Sequence, residues 1–248
     1  MFKKLENFCI TQAQRLFESV LPSRCLLCHL PSEGTLLCDC CHQAIVIERP
    51  CCLHCGCGLN QYQDFCGDCL RHHFEFTQLH AIAGYQAPFP ALIKQLKYHQ
   101  QLLHADLLGQ LLAESVSARY TTQDLQCIDY IMPVPLHPQK QRKRGFNQAQ
   151  LIAHALSQHL PLSILNNAVK RNKITTPQEG LTRHQRQQNL KKAFSLNPQN
   201  STNLAGKVIV IIDDVVTTGA TINSLCECLY SAQVARIDVW CICRTELQ

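Results

Sequence analysis

Four CxxC pairs are the feature of this sequence that most restricts how its first third can fold. They are separated by nine or ten residues, enough for a short hairpin, and comprise Cys25 and Cys28, Cys38 and Cys41, Cys52 and Cys55, and Cys66 and Cys69. The two thiolates of one knuckle reach the same metal ion, and two knuckles complete a tetrahedral Cys₄ site. The segment therefore predicts two structural zinc ions, whose binding supplies folding free energy.

The spacing leaves the pairing of the knuckles open. Pairing the first with the second and the third with the fourth gives two successive ribbons, which we favour, but an interleaved cross-brace fits as well. Cys40, Cys51 and Cys57 are spare, and the first two lie beside chosen ligands, so register swaps remain open. The histidines of the segment are interpreted as solvated residues rather than ligands: His29, His42 and His54.

Cysteine usage indicates a reducing compartment. The sequence has 17 cysteines, an odd number, and 12 of them precede residue 70. A disulfide scaffold is typical of a small secreted chain with a signal peptide, but residues 1–22 contain no continuous apolar core and no cleavage site of small residues. No stretch approaches the roughly 20 apolar residues of a membrane span. We therefore expect reduced, metal-binding cysteines, a cytoplasmic location and no membrane span.

Composition favours a globular protein, because hydrophobic residues make up 46% of the chain and charged residues 17%. The formal net charge of +5 is a modest excess and does not by itself indicate a nucleic-acid partner. Apolar residues at helical spacing predict an amphipathic helix over residues 1–20, whose apolar face packs on the rest of the protein.

The remaining sequence divides into a double zinc ribbon at 21–73, with few large apolar side chains, and an α/β domain at 74–248. Strands are predicted at 80–85, 128–134, 162–169, 207–212 and 236–243, helices at 89–98, 102–120, 147–160 and 221–232, and a long polar loop at 170–191. This alternation predicts an open, mostly parallel sheet with right-handed crossovers. Ligands bind beyond the carboxyl ends of such strands.

The strongest functional signal is the segment from residue 207 to residue 225. An apolar strand delivers two carboxylates, Asp213 and Asp214, to its carboxyl end, and small residues then open a helix. These loop residues are Thr217, Thr218, Gly219, Ala220 and Thr221. Backbone N–H groups at a helix N-terminus bind a phosphate dianion, while carboxylates accept hydrogen bonds from sugar hydroxyls. An ordinary threonine-capped helix explains the whole run poorly, so the segment predicts a site for a phosphorylated sugar.

This run resembles the phosphoribosyl-diphosphate (PRPP) motif of type I phosphoribosyltransferases. Two further stretches, at 129–153 and 171–194, narrow the resemblance to the ComF family of competence-associated proteins. Together with the four CxxC pairs, the resemblance covers nearly the whole chain. It implies an α/β domain of the type I phosphoribosyltransferase fold, preceded by a small zinc-ribbon module.

The resemblance also assigns roles to residues. Asp213 and Asp214 are the expected ligands of the ribose hydroxyls, and residues 217–221 the loop for the 5′-phosphate. The loop after the strand at 128–134 is the expected diphosphate loop, with basic residues Lys140, Arg142, Lys143 and Arg144. Arg144 and Gly145 are its favoured contacts, because an arginine fork and bare backbone bind diphosphate oxygens well. We expect Asp213, Asp214 and Arg144 to be the catalytic residues, and Mg²⁺ to accompany PRPP.

Two more segments match the family. Residues 171–189 resemble the mobile loop that closes over such a site, with Arg171, Gln178, Arg186 and Asn189 at the matching positions. Lys94 and Lys97 are interpreted as surface charges, although the Leu-Lys-Tyr run that ends at Tyr98 also matches the family.

Two functions follow from the resemblance. The first is a cytoplasmic, PRPP-binding competence factor that aids entry of single-stranded DNA during natural transformation, with a helicase or recombination mediator as protein partner. Basic residues at 140–144 and 183–192 are its candidate contacts with the DNA backbone. The second is an active phosphoribosyltransferase that transfers ribose 5-phosphate from PRPP to a base and releases diphosphate. No segment of the sequence predicts a binding pocket for the acceptor base, so we favour the competence factor. A zinc-ribbon adaptor with a purely structural α/β domain is disfavoured, because a decayed site need not keep its acid pair.

Overall fold

The computed structural model describes residues 23–32, 34–45, 50–173, 193–199 and 203–246. The helix predicted at 1–20 lies outside these ranges, as do Gln178, Arg186 and Asn189 of the predicted mobile loop. The chain forms two compact units, residues 1–47 and 48–248. They divide within the segment that the sequence assigns to one double zinc ribbon at 21–73.

The described part of the first unit is a small turn followed by a helix. An antiparallel bridge joins Arg24 and Pro31 around the first CxxC knuckle, and the Leu26 N–H donates to the Leu36 carbonyl at 2.9 Å. Helix α1 then covers Asp39–Ile45. Cys25, Leu37 and Ile45 are buried.

The second unit is built on a four-stranded parallel sheet in the order β1-β6-β5-β2. Its strands are β1 (Leu79–Gly84), β2 (Tyr130–Pro133), β5 (Val208–Val216) and β6 (Arg236–Arg244), while β3 (Val169–Arg171) and β4 (Phe194–Leu196) form a separate antiparallel pair. The central strand β5 places Ile212 between Pro133 of β2 and Trp240 of β6. The structure thus has the mostly parallel α/β sheet that strand–helix alternation predicts.

Seven helices complete the described part of the second unit. They are α2 (Gly67–Arg71), α3 (Phe89–His99), α4 (Leu103–Arg119), α5 (Thr122–Gln126), α6 (Pro138–Arg144), α7 (Gln148–His159) and α8 (Ala220–Tyr230). Helices α4 and α7 pack on each other, α7 also packs on β2 and β5, and α8 packs on β4. Helices α6 and α8 follow the carboxyl ends of the neighbouring strands β2 and β5, which brings their starting turns to the same edge of the sheet.

The cysteine segment of the second unit belongs to the main core. Cys52, Cys55 and Cys66 are buried in one apolar cluster with Phe74 and with residues of β1, β5, β6 and α8. This segment therefore packs as part of the α/β domain, although its sequence contains few large apolar side chains.

Two predicted elements differ in the structure. The strand predicted at 162–169 is wrong: Ile164 makes only an isolated bridge to Ile131, and β3 begins at Val169. The chain turns between them because Asn167 adopts a left-handed conformation with φ of 57°, which an asparagine tolerates better than most residues.

The basic segment expected to be a diphosphate loop is instead helix α6. Pro138 occupies its first turn, where a missing N–H costs nothing, and the His137 ring accepts a hydrogen bond from the Gln139 N–H at 3.2 Å. Gly145 ends the helix with φ of 89°.

Candidate functional site

The acid pair lies near the carboxyl end of β5 with unequal burial. Asp214 is 2% exposed, whereas Asp213 is partly exposed, because adjacent strand residues point to opposite faces of the sheet. Oδ1 of Asp213 accepts a hydrogen bond from the Asp214 N–H at 2.9 Å. The half-buried carboxylate is thus held in place by the backbone of its neighbour.

Lys97 of helix α3 is the cationic partner of Asp214, with which it forms an ion pair. Burial alone would lower the pKa of Lys97, but the carboxylates of Asp214 and Asp213 outweigh it and the pKa is raised. The interpretation of Lys97 as a surface charge was therefore wrong, whereas Lys94 is exposed as expected. The sequence does not predict this contact, because Lys97 and Asp214 lie in elements that are far apart along the chain.

Gln148 connects the acid pair to the basic helix. Its Nε2 donates to Oδ1 of Asp214 at 3.2 Å, and its Oε1 accepts a hydrogen bond from Arg144. The Arg144 guanidinium also lies over the Tyr98 ring, 5.8 Å from the ring centroid. Arg144 is thereby oriented on two sides, as a fork that binds an anion requires.

Helix α6 separates its basic residues onto two faces. Lys140 and Arg144 are one helical turn apart and partly buried, whereas Arg142 and Lys143 are exposed. The pKa of Lys140 is lowered by burial and by the positive charges of Arg171, Arg144 and Lys97. Burial also lowers the pKa of Arg171, against the attraction of Asp213. Four cations therefore gather around the acid pair, and their mutual repulsion favours a bound polyanion.

Asp213 responds to the same surroundings. Burial, followed by the charge of Asp214, raises its pKa to about 8, although Lys97 opposes the shift. A carboxyl with this pKa exchanges its proton near neutral pH, which is typical of functional sites.

The predicted phosphate loop follows β5 and opens helix α8. Thr217 and Thr218 are exposed, and Thr218 Oγ1 accepts a hydrogen bond from the Ala220 N–H at 3.4 Å. Gly219 precedes the helix with φ of 76°, and a Cβ atom there would meet Cε1 of Phe74 at 2.8 Å. Glycine is required on both counts. The helix dipole at this turn favours a phosphate group.

Gly145 lies where the sequence expects a backbone contact with diphosphate, but its N–H already donates to the Gln141 carbonyl at 2.7 Å as the helix cap. In the described conformation the groups of α6 that remain as candidates for an anion are therefore the side chains of Lys140 and Arg144.

A cavity of about 530 Å³ adjoins the basic cluster. It lies between the start of α7 and strand β3, and its lining combines apolar Leu136 and Phe146 with the amides of Gln141 and Asn167 and with Arg171. A cavity of this size and mixed lining is large enough for a small ligand.

The eight cysteines of the CxxC pairs gather into two clusters: Cys25, Cys28, Cys38 and Cys41 in the first unit, and Cys52, Cys55, Cys66 and Cys69 in the second. The pairing is sequential and not a cross-brace. Cys40, Cys51 and Cys57 and the histidines belong to neither cluster.

The sulfur geometry fits zinc. Within the second cluster the Sγ–Sγ distances are 3.6 Å for Cys52 and Cys69 and 3.5 Å for Cys55 and Cys66. In the first, Sγ of Cys28 and Cys38 are 3.7 Å apart. Four sulfurs at about 2.3 Å from a tetrahedral zinc lie about 3.8 Å apart. A closed set of four thiolates leaves no open position, so both sites suit structural zinc.

Family comparisons agree with both parts of the structure. A phosphoribosyl transferase domain model matches residues 142–246, and a double zinc ribbon domain model matches residues 16–70. They confirm the predicted fold class, a phosphoribosyltransferase-like α/β domain preceded by zinc ribbons. Among the described residues, every helix falls short of the length and apolar character needed to span a membrane.

Curated proteins extend the likeness over most of the chain. Competence protein F of Haemophilus influenzae is 36% identical over 225 residues, which cover 89% of this chain and 96% of that protein. DNA utilization protein YhgH of Escherichia coli K12 is 35% identical over 227 residues, or 91% and 98% of the two chains. Competence protein ComFC of Bacillus subtilis is 35% identical over 101 residues, 40% of this chain and 37% of that protein.

Proposed function

This chain belongs to the family of competence protein F and its relatives, and on that premise we propose that it is a PRPP-binding competence factor. It acts in the cytoplasm together with a helicase or recombination mediator, and it aids the entry of single-stranded DNA during natural transformation. Relatives named as competence and DNA utilization proteins support this role over that of a phosphoribosyltransferase enzyme.

The observation that carries PRPP binding is the convergence of three kinds of group at one edge of the sheet. The acid pair suits ribose hydroxyls, the turn before α8 suits a 5′-phosphate, and Lys140 and Arg144 suit a diphosphate. PRPP presents its ribose hydroxyls between a 5′-phosphate and a 1-diphosphate, which is the order of these three kinds of group.

Mg²⁺ fits the same arrangement. It is bound mainly through substrate phosphates with few protein ligands, and the half-buried carboxylate of Asp213 offers a hard oxygen beside the cationic cluster. The ion would neutralise part of the diphosphate charge. Arg144 and Lys140 orient the diphosphate. Gln148 holds Arg144 in position relative to the acid pair, because it is hydrogen-bonded to both Arg144 and Asp214.

Direct DNA contact is assigned to the exposed face of α6. Arg142 and Lys143 are exposed, whereas Lys140 and Arg144 are partly buried, so we assign the phosphate backbone of DNA to the exposed pair. The other basic residues predicted for this role, at 183–192, lie outside the described residues. Fluorescence anisotropy with labelled single-stranded DNA over a salt series tests this contact. We expect the affinity for DNA to fall as the salt concentration rises, and the double variant Arg142→Ala with Lys143→Ala to bind more weakly than the wild type. An affinity that does not change with salt would contradict this contact.

A second candidate function is phosphoribosyl transfer to a base. The cavity lined in part by Arg171 favours it, because a lining of apolar side chains and amides suits a flat heterocycle with hydrogen-bonding edges. Diphosphate release from PRPP across a panel of bases separates the two candidates. Turnover supports the enzyme, whereas tight PRPP binding without turnover supports the competence factor.

Transformation of a strain that lacks the gene tests the biological role. Wild-type protein should restore transformation with genomic DNA, and the double variant Asp213→Ala with Asp214→Ala should not, at equal protein level and zinc content. Full rescue by the double variant would separate competence from PRPP binding and overturn the proposal.

A further inference from the structure

Arg244 links the second cysteine cluster to the phosphate loop. It is 1% exposed and lies at the carboxyl end of β6, beside Val216 of β5. Its Nε donates to the Cys55 carbonyl at 2.9 Å. Its Nη1 donates to the carbonyls of Val216, at 3.2 Å, of Thr217, and of its neighbour Thr245, at 2.9 Å. One rigid guanidinium therefore holds a knuckle of the metal site and the first residue of the phosphate loop.

An aromatic contact runs in parallel with this link. His54 stands inside the third CxxC knuckle, and its ring lies 5.9 Å from that of Phe74, measured between centroids. Phe74 in turn fills the space beneath Gly219. The His54 ring is fixed by a 2.8 Å hydrogen bond between Nδ1 and the Thr77 carbonyl. The third CxxC knuckle therefore reaches the phosphate loop through His54 and Phe74 as well as through Arg244.

A third contact fastens the start of α8. Asn223 donates from Nδ2 to the His73 carbonyl at 2.9 Å and accepts from the Glu75 N–H at 3.2 Å. His73 and Glu75 follow the fourth knuckle directly. All three contacts lie within the second unit, whereas the first cluster belongs to the other unit.

We propose that Arg244 positions the phosphate loop in response to the second zinc site, so that zinc at Cys52, Cys55, Cys66 and Cys69 and the 5′-phosphate of PRPP bind cooperatively. This inference rests on the proposed PRPP function. Arg244 is a positioning residue that acts through the carbonyls of Cys55, Val216 and Thr217.

The coupling has a physical cause on each side. Zinc fixes the backbone of the third knuckle, and a fixed Cys55 carbonyl keeps the guanidinium in place. Without zinc the knuckle is released, and a buried donor that loses its partner must reorient or stay unsatisfied. The Thr217 carbonyl then loses its support, and the loop loses its preset shape. Linkage requires the reverse effect, so PRPP must also strengthen zinc binding at this site.

Calorimetry on the full zinc-loaded chain tests the inference with three probes: PRPP with Mg²⁺, ribose 5-phosphate, and inorganic diphosphate with Mg²⁺. Arg244→Lys keeps the charge but loses the fork. We expect it to weaken PRPP and ribose 5-phosphate by about tenfold, within the usual range of coupling between sites. Inorganic diphosphate should bind as in the wild type, because its side-chain contacts lie on α6. General misfolding would weaken all three.

The two clusters supply a matched pair of variants. Cys69→Ser and Cys28→Ser each remove one ligand of one zinc site, and only Cys69→Ser should reduce the affinity for ribose 5-phosphate. In the unmutated protein, PRPP should slow the loss of one of two zinc ions to a chromophoric chelator and leave the other unchanged.

The outcomes separate the two claims. Wild-type affinity for ribose 5-phosphate in Arg244→Lys, or zinc release that ignores PRPP, overturns the coupling while PRPP binding stands. A wild-type chain that binds neither PRPP nor ribose 5-phosphate overturns both.

Discussion

Gln148 donates a hydrogen bond from Nε2 to Oδ1 of Asp214 at 3.2 Å. This contact joins helix α7 to strand β5, and through Arg144 it extends to helix α6. The group expected to bind ribose and the group expected to bind diphosphate are thereby held by a single side chain. PRPP carries both features at a fixed separation, so under the proposed function we expect the relative placement of the two groups to govern affinity.

Replacing Gln148 with Met should therefore weaken PRPP binding and leave the fold intact. A hydrogen bond to a charged group contributes about 1.5–3 kcal/mol, which corresponds to roughly tenfold or more in Kd. Titration calorimetry measures the loss. Gln158→Met, on the exposed face of the same helix, is the control and should bind PRPP normally. Equal affinity in both variants would show that Gln148 does not organise the site.

Gly219→Ala should cost both stability and PRPP affinity. A left-handed conformation costs a non-glycine residue roughly 1–2 kcal/mol, and the added Cβ would also overlap Phe74. Gly206→Ala is the matched control, because Gly206 has a similar φ of 73° with nothing within 4 Å. In thermal unfolding, Gly206→Ala should lose only the stability that the left-handed conformation costs, and it should keep the wild-type affinity for PRPP. If the two variants behave alike, the contact with Phe74 does not shape the loop.

Asp213 should make the free protein less stable as pH rises. Its folded pKa, about 8, lies above the ordinary value of 3.8, so the folded state holds the proton more tightly than the unfolded chain. The resulting stability is complete below the unfolded pKa and is lost as pH rises through the folded pKa. Asparagine cannot lose a proton. The advantage of Asp213→Asn in Tm should therefore grow between about pH 5 and about pH 8.

Asp129 provides the control of opposite sign. Its pKa is lowered by the Val208 N–H and by Lys207, so its contribution is present above the unfolded pKa and lost only in acid. Asp129→Asn should be less stable than the wild type across the same range, with no growing advantage. If differential scanning calorimetry showed that the difference in Tm between Asp213→Asn and the wild type does not change with pH, the burial argument would be contradicted.

Zinc loss should destabilise the second unit through its own cluster. Cys66 lies in the apolar core with Phe74 and β5, so Cys66→Ser should lower the Tm of the main transition by about 5 °C or more, at 2–4 °C per kcal/mol for a domain of this size. Cys41→Ser in the first unit should lose one zinc and leave that transition in place. Zinc content and calorimetry on the same samples decide this, and equal shifts for both variants would refute the division.

Local signals in the sequence predict the centre of the site well. Strand β5 and the turn at Gly219 follow from a buried apolar run, adjacent carboxylates and small loop residues, all within one short segment. The end signals of helix α6 were also present, since Pro138 and Gly145 are typical of a first turn and a C-terminal cap. The resemblance to type I phosphoribosyltransferases nevertheless predicts a diphosphate loop there, and the structure has a helix instead.

The partners of the acid pair were harder to predict because they come from other elements. Lys97 and Gln148 reach Asp214 only after helices α3 and α7 have packed on the sheet. Arg244 carries no local signal at all: an arginine at the end of a buried strand acquires its role only when Cys55 and Thr217 come together. Tertiary packing, not pattern, determines these contacts.

Calorimetric titration of the zinc-loaded chain with PRPP and Mg²⁺ tests the central claim most directly. One PRPP should bind per chain with a saturable heat, and Asp213→Ala with Asp214→Ala should abolish it while both zinc ions and the thermal transition are retained. Absence of heat from the wild type, or equal binding by the double variant, would contradict the assignment of this edge of the sheet to a sugar phosphate.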